Sequence, residues 1–211
     1  MSLLRRRLMM AIGVGGSKPD YSSYRGVFIE DVDGYLYTVG EWDGSKTANG
    51  IAVLTDNCRF VIAKQNASSP GLLWGGDGKT VPDIVTSKSS STAVLDYDGA
   101  GNTPKIIEYL AGTNDGYVDG APAAEACAAF TFPSGQKGYL PALGEWQGAY
   151  NNKTAVVSAM SLIGGTAITS DYYWSSTQYS SHYSWTLNWI GGNLDDEFKR
   201  KFHYVRAFAT L

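Results

Sequence analysis

The sequence predicts an α+β protein built on antiparallel sheets, and three observations carry that prediction. Short β-prone runs bounded by turn residues fill the stretch from Gly26 to Ala63. Helix signals cluster in the middle, between Pro104 and Ile163. From His182 to Trp189 the chain alternates in the two-residue period of a strand.

Taken in order, GVFIE (Gly26 to Glu30) and YLYTVG (Tyr35 to Gly40) flank Asp33-Gly34, a pair that tolerates the positive φ of a tight hairpin turn. Further short strands are expected over Ile51 to Leu54 and Arg59 to Ala63. Lys64 to Asn102 reads as loop, with Trp74 anchoring it on the core and Gly75, Gly76 and Gly78 making turns. Asp96-Tyr97-Asp98-Gly99 and Asn114-Asp115-Gly116 open like calcium loops, but neither has the closing acidic residue, so they read as Asp-Gly turns.

PKIIEYL (Pro104 to Leu110) predicts a short helix, and Pro122 opens a second through AAEACAAF. Pro141 starts another, with Leu143, Trp146 and Tyr150 at helical spacing. Lys153 to Ile163 continues the helical region to a Gly164-Gly165 cap. The expected order is strands, a long loop, two or three helices, then strands again. The N- and C-terminal strands are expected to pair.

The segment from Tyr172 to Leu211 mixes two kinds of position. Tyr173, Trp174, Trp185, Leu187, Trp189, Tyr204, Val205 and Phe208 read as fixed by packing. Between them sit side chains of almost every chemistry. In the strand, Tyr183, Trp185, Leu187 and Trp189 share one face, read as core. His182, Ser184, Thr186 and Asn188 share the other, read as surface. Asp195, Asp196 and Glu197 followed by Lys199, Arg200 and Lys201 read as a mixed-charge hairpin turn. With Phe198 and Phe202 they form a polar rim around aromatic anchors, the layout of a recognition patch. The candidate ligand-binding residues are Tyr179, Ser181, His182, Tyr183, Ser184, Thr186, Asn188, Ile190, Asp195, Asp196, Glu197, Phe198, Arg200, Phe202 and His203.

At 211 residues the chain is long enough to bury a sizeable core, and one domain with an appendage suffices. A net charge of −3 with 18% charged residues leaves no nucleic-acid footprint. The 14 Tyr and 25 Gly suit both short strands and binding loops, since Tyr gives large contact area at low entropy cost. Cys58 and Cys127 make neither a disulfide scaffold nor a zinc spacing, and one bridge or two buried thiols are both open. No apolar run approaches the roughly 18 residues of a membrane span. Arg5, Arg6 and Arg7 followed by LMMAIGV imitate a signal peptide but lack a good cleavage site before Asp20. A docking arm over residues 1–25, ending in a linker, is the preferred reading over an export signal, with the domain running 26–211.

The pattern LPALGEWQ (Leu140 to Gln147), then IGG, YYWSST (Tyr172 to Thr177), W-x-L-x-W and YVRAFA (Tyr204 to Ala209) resembles C-type-lectin-fold proteins of gut anaerobes and their phages. Two related groups share it: paralogous-domain surface proteins, and variable proteins of diversity-generating retroelements of the major tropism determinant type. The resemblance covers roughly Gly26 to Leu211 and is most specific from Gly138. It implies a scaffold whose variable region, about 174–211, is rewritten by mutation of template adenines. Asn codons then scatter into the residue types found at Ser181, His182, Tyr183, Ser184, Thr186, Ile190, Asp195, Asp196, Phe198, Arg200, Phe202 and His203. Asn188 and Asn193 would be unmutated, and Glu197 would descend from a Lys codon. Trp185, Leu187, Trp189, Tyr204, Val205 and Arg206 would be scaffold. The opening MSLLRRRLMM also resembles phage tail-associated proteins.

Two departures limit what the resemblance implies. The Glu-Pro-Asn, Gln-Pro-Asp and Trp-Asn-Asp runs of calcium-dependent lectins are absent. Formylglycine-generating enzymes, which share the fold, need cysteines near the C-terminus, and the last here is Cys127. His182 and His203 with Asp195 or Asp196 have no spacing that demands catalysis or metal binding. Glu145 reads as a hydrogen-bonding rather than a catalytic carboxylate. The expectation is a binding protein without enzymatic activity or cofactor. Its partner would be a host or bacterial cell-surface receptor, protein or glycan. It would act as a homo-oligomer, with the arm contacting phage tail proteins and with no nucleic acid or membrane insertion. The setting is a virion tail tip or, alternatively, a secreted or cell-surface adhesin.

Overall fold

The computed structural model describes residues 19–169 and 172–211. The export-or-docking reading of residues 1–18 lies outside the described residues. The strands are β1 (Gly26–Asp31), β2 (Leu36–Tyr37), β3 (Ala48–Leu54), β4 (Arg59–Ala63), β5 (Tyr172–Gln178), β6 (Tyr183–Asn188), β7 (Leu194–Phe198) and β8 (Phe208–Thr210). The helices are α1 (Ser90–Ala93), α2 (Gly99–Leu110), α3 (Pro122–Ala129), α4 (Leu143–Asn151) and α5 (Lys153–Leu162). The α+β class is as expected, with two antiparallel sheets ordered β2-β1-β3-β4-β8 and β5-β6-β7.

The larger sheet is covered on both faces. Every residue of β3 is buried, because its side chains alternate between two cores. Ala52 and Leu54 join Ile106 and Leu110 of α2 and Ala123, Ala124 and Cys127 of α3. Ile51 and Val53 join Trp146 and Ala149 of α4 and Val156, Ala159 and Met160 of α5. The short runs of the sequence are therefore continuous apolar strands, the signature of a sheet buried on both sides. The Asp33-Gly34 turn sits where expected, with Gly34 at φ 81° and Glu30 opposite Leu36. Tyr21 and Tyr24, in the stretch read as a linker, pack against the first core, and Tyr21 Oη accepts from Leu36 N at 3.1 Å.

Several expectations are corrected. The described residues hold five helices rather than two or three. The long loop contains α1, and α2 begins at Gly99 rather than Pro104. Gly99, Gly101 and Pro104 are poor helix formers and hid this start. Asp98 supplies the missing signal, capping the helix by accepting from Gly101 N at 2.9 Å. Asp96 is buried and accepts from Asn102 Nδ2 at 2.9 Å and Thr177 Oγ1 at 2.7 Å, while Asp115 accepts from Tyr117 N and Val118 N. These carboxylates serve as turn and cap acceptors. The C-terminal strand joins the N-terminal sheet, but it pairs with β4, Val61 opposite Ala209, and not with β1.

Glycine at position 99 is set by close approach. A Cβ there would lie 2.7 Å from Ala142 N and 2.8 Å from Leu140 O and would collide with the Glu145 carboxylate. Gly99→Ala is expected to cost about 1–3 kcal/mol in urea denaturation, although alanine favours helix by about 1 kcal/mol at an open site.

Arg206 ties the two halves of the fold together. Its guanidinium is fully buried and makes no ion pair among the described residues. Nε donates to Asn66 Oδ1 at 2.9 Å, and Nη1 to Ala63 O at 3.2 Å and Thr166 O at 3.0 Å. Burial pulls its pKa down to about 10.

Candidate functional site

The three-stranded sheet carries the site. β6 pairs with β7 from Tyr183↔Phe198 to Leu187↔Leu194. The turn of this hairpin lies at Trp189 to Asn193, so Asp195, Asp196 and Glu197 are strand residues rather than turn residues. Asn188 is consumed by that turn, its Oδ1 accepting from Ile190 N at 3.0 Å and Gly191 N at 2.9 Å. Ile190, 59% exposed, sits at this end beside Lys153, whose Nζ donates to the carbonyls of Trp189 and Ile190.

Ser184 and Thr186 are fully buried, which corrects their assignment to the surface. Both faces of β6 are covered at its centre, and its neighbour β5 shifts register between Trp174 and Gln178. Such an irregularity leaves ladder groups without strand partners, and buried backbone polar groups must be satisfied. Hydroxyls do this locally. Ser184 Oγ donates to Thr177 O at 2.9 Å and Ser175 Oγ to Trp185 O at 2.8 Å. Thr186 Oγ1 donates across the other ladder to Asp195 O at 2.9 Å. Trp146, Trp174, Trp185 and Trp189 are buried, as read from the sequence. Tyr204, read as packing-fixed, is 37% exposed.

Lys199, read as part of a charged turn, is fully buried. Its Nζ donates to Lys79 O at 2.8 Å and Gln178 Oε1 at 2.9 Å and lies 4.3 Å from the centre of the Trp74 ring. Burial pulls its pKa down to about 7, while Asp77 and Asp115 act to raise it. The ammonium staples the loop around Trp74 to Lys79 under the hairpin. Trp74 Nε1 donates to Ser175 O, and Gln178 Nε2 to Val81 O, along the same seam.

On this base the exposed candidates gather in two groups. In the first, Tyr179 stacks edge-on to Tyr183 at 5.9 Å, and Tyr183 lies 4.1 Å from Phe198. The Arg200 guanidinium sits 4.7 Å from the Phe198 ring and 5.4 Å from the Tyr117 ring. His182 Nδ1 is 2.9 Å from Asp77 Oδ1, and Arg200 Nη1 is 3.7 Å from Asp77 Oδ2. Ser181 adds its carbonyl, which accepts from Gly78 N. In the second, Lys201 pairs with Glu197, and His203 Nε2 lies 3.8 Å from Glu197 Oε2. His203 is mostly buried, its side chain 12% exposed, edge-on to Trp174 and tilted against Tyr172, and burial lowers its pKa. Phe202 projects beside it, 70% exposed. Asp196 is exposed, and Asp195 is half-buried with its carboxyl raised by burial and by its acidic neighbours.

Asp77 and Tyr117 belong to this surface and were missed in the sequence. Both lie beside glycine turns, at Asp77-Gly78 and Asp115-Gly116-Tyr117, and Asp115 Oδ2 accepts from Asp77 N at 2.8 Å. The carboxylate that opens one turn thus positions the other, a pairing that no spacing rule predicts.

Glu145 and Cys127 are buried, and Cys58 is partly so. Glu145 Oε1 accepts from Tyr139 Oη and Oε2 from Ala142 N, both at 2.7 Å. Burial pushes its carboxyl up to about 8. Cys58 and Cys127 are free, which answers the question of a bridge, and burial raises both thiols. No helix among the described residues is long and apolar enough to cross a membrane.

No protein-family model matches the chain, and no curated protein does. Among solved structures it is similar to a fimbrial protein from Bacteroides ovatus ATCC 8483. The TM-score is 0.58 at 14% identity, over 89% of this chain and 49% of that one. This chain thus spans about half the length of that protein. At such identity the likeness is one of fold alone.

Proposed function

We propose that this chain is a non-enzymatic recognition module of a surface-displayed protein, binding its ligand through the β6–β7 hairpin and the segment from Phe198 to His203. The observation that carries the reading is the contrast within the hairpin. Buried hydroxyls and Lys199 hold a rigid base, while Tyr183, Phe198, Arg200, His182, Phe202 and Tyr117 stand on it with their surfaces partly or wholly open. A preorganised patch with aromatic anchors and a polar rim is what a binding surface requires. A cell-surface adhesin is the favoured setting, since a fimbrial protein shares the fold. Oligomeric display would raise avidity without new contacts.

A C-type-lectin-like variable protein on a phage tail is the second reading, supported by the residue types on the hairpin. Ser181, His182, Tyr183, Ile190, Asp195, Asp196, Phe198, Arg200, Phe202 and His203 are all reachable from an adenine-mutated Asn codon and are at least partly open. Ser184 and Thr186 are reachable too, but being buried they would stay near Ser or Thr.

Labelled protein binding to bacterial cells tests the proposal. Combined His182→Ala, Arg200→Ala and Phe202→Ala substitution should weaken binding at least ~100-fold while near-UV circular dichroism shows the variant still folded. Undiminished binding by the triple variant, or no binding of the native chain to any cell, overturns the reading. Sequencing downstream of the gene separates the two settings. A near-copy of the segment encoding Trp174 to Leu211, with adenines at the differing positions and a reverse transcriptase beside it, would establish diversification.

A further inference from the structure

Arg200 is held in a way that leaves a particular part of it free. Its guanidinium lies against two rings, Phe198 at 4.7 Å and Tyr117 at 5.4 Å. Phe198 is itself backed by Tyr183 at 4.1 Å. On one edge, Nη1 donates to Tyr117 Oη at 3.1 Å and faces Asp77 at 3.7 Å. Asp77 cannot turn away, because it also holds His182 and is only 8% exposed. The opposite edge, Nε and Nη2, makes no hydrogen bond among the described residues, and the side chain is 41% exposed. Nε–H and Nη2–H form the parallel fork that matches the two oxygens of a carboxylate.

The surroundings narrow the ligand. Asp196 lies two positions before Phe198 on the same face of β7 and is exposed, while Asp77 faces Arg200 at 3.7 Å and Asp115 accepts from Asp77 N. With these charges close by, a polyanion such as nucleic acid or a strongly acidic peptide is repelled. A single carboxylate on an otherwise uncharged body is not. Beside the fork, Tyr117 is 57% exposed, so its ring offers a flat apolar surface, and His182, 58% exposed, offers a ring nitrogen to a hydroxyl. A sugar ring has an apolar C–H face and hydroxyls at its rim.

Building on the recognition reading above, we infer that the Arg200 site binds a carboxylated sugar, a uronic or sialic acid unit within a largely neutral glycan. The carboxylate takes the Nε/Nη2 fork of Arg200, and the ring lies against Tyr117. Arg200 and Tyr117 set this specificity together, because each holds the other in place.

Saturation-transfer NMR and titration with methyl β-glucuronide and the methyl glycoside of sialic acid test the inference on the full chain. At least one acid should bind, and its methyl ester should bind at least ~30-fold more weakly, since the ester keeps the ring and loses the charge. Arg200→Gln should equalise acid and ester, Arg200→Lys should restore part of the difference, and Tyr117→Leu should weaken both. Near-UV circular dichroism confirms that each variant is folded. Equal binding of acid and ester, binding unchanged in Arg200→Gln, or binding to neither acid overturns the inference. If cells or acidic peptides are still bound through the hairpin in that case, recognition stands and only the ligand class is wrong. If nothing is bound, both readings fall.

Discussion

Arg206→Ala should lose about 3–5 kcal/mol of unfolding free energy. The substitution empties a fully buried site and removes donors from Asn66 Oδ1, Ala63 O and Thr166 O at once. Ala63 O lies in the buried strand β4 and costs about 1–3 kcal/mol if left unpaired, whereas Thr166 is exposed and Asn66 Oδ1 keeps the Tyr173 hydroxyl. Arg206→Met separates the two contributions, because it fills most of the volume and supplies no donor. Urea denaturation should place it between wild type and the alanine variant. If methionine equals wild type, the carbonyls find other partners and the clamp is only packing. The residue was assigned to the scaffold from its place in YVRAFA, but nothing in that motif says that the cation lacks an acid partner.

Stability should pass through a minimum near pH 7–8, set by two buried groups titrating in opposite senses. Glu145 ionises near its ordinary 4.5 when unfolded but near 8 when folded. The folded state therefore holds the proton longer, and stability falls as pH rises from 4.5 to 8. Lys199 is the reverse: unfolded it keeps its proton to 10.5, and folded it releases it near 7. The unfolded state binds more protons between these values, so stability rises with pH from 7 towards 10.5. The limiting slope is about 1.4 kcal/mol per pH unit for each group. His203, lowered by burial, adds a slope of the Lys199 sign below its ordinary 6.5, and Tyr139, raised by burial, adds a falling slope above 10. Difference profiles isolate the two main groups. Wild type minus Glu145→Gln should decline between pH 4.5 and 8, and wild type minus Lys199→Met should climb between pH 7 and 10.5. Flat differences would mean that neither group titrates inside the fold.

The class, the order of elements and most strand positions were legible because they depend on local chemistry. Asp33-Gly34, Pro122 before its alanine run and Gly164-Gly165 each state their conformation directly. What depends on distant partners was not legible. Gly99 reads as a helix breaker until Glu145 is seen beside it. Ser184 and Thr186 read as surface because alternation gives two faces and not their burial, and both faces of this strand are covered near its centre. Lys199 reads as solvent-exposed until Trp74, Lys79 and Gln178 close around it. The site followed the same division. Its exposed members His182, Arg200 and Phe202 were found from residue type, whereas Tyr117 and Asp77 arrive from loops far away in the chain.

The pairing of β8 with β4 sets a schedule for the molecule's birth. Phe60 meets Thr210 and Ile62 meets Phe208, so β4 is synthesised long before the strand that covers its edge. A nascent chain therefore leaves the ribosome with β4 bare on one side and Phe60 missing the ring of Phe208, which lies 4.6 Å away in the finished fold. Contacts this remote in sequence close slowly, and an uncovered strand edge invites pairing with other chains. The larger sheet is therefore completed last at its β8 edge, once translation has passed Thr210.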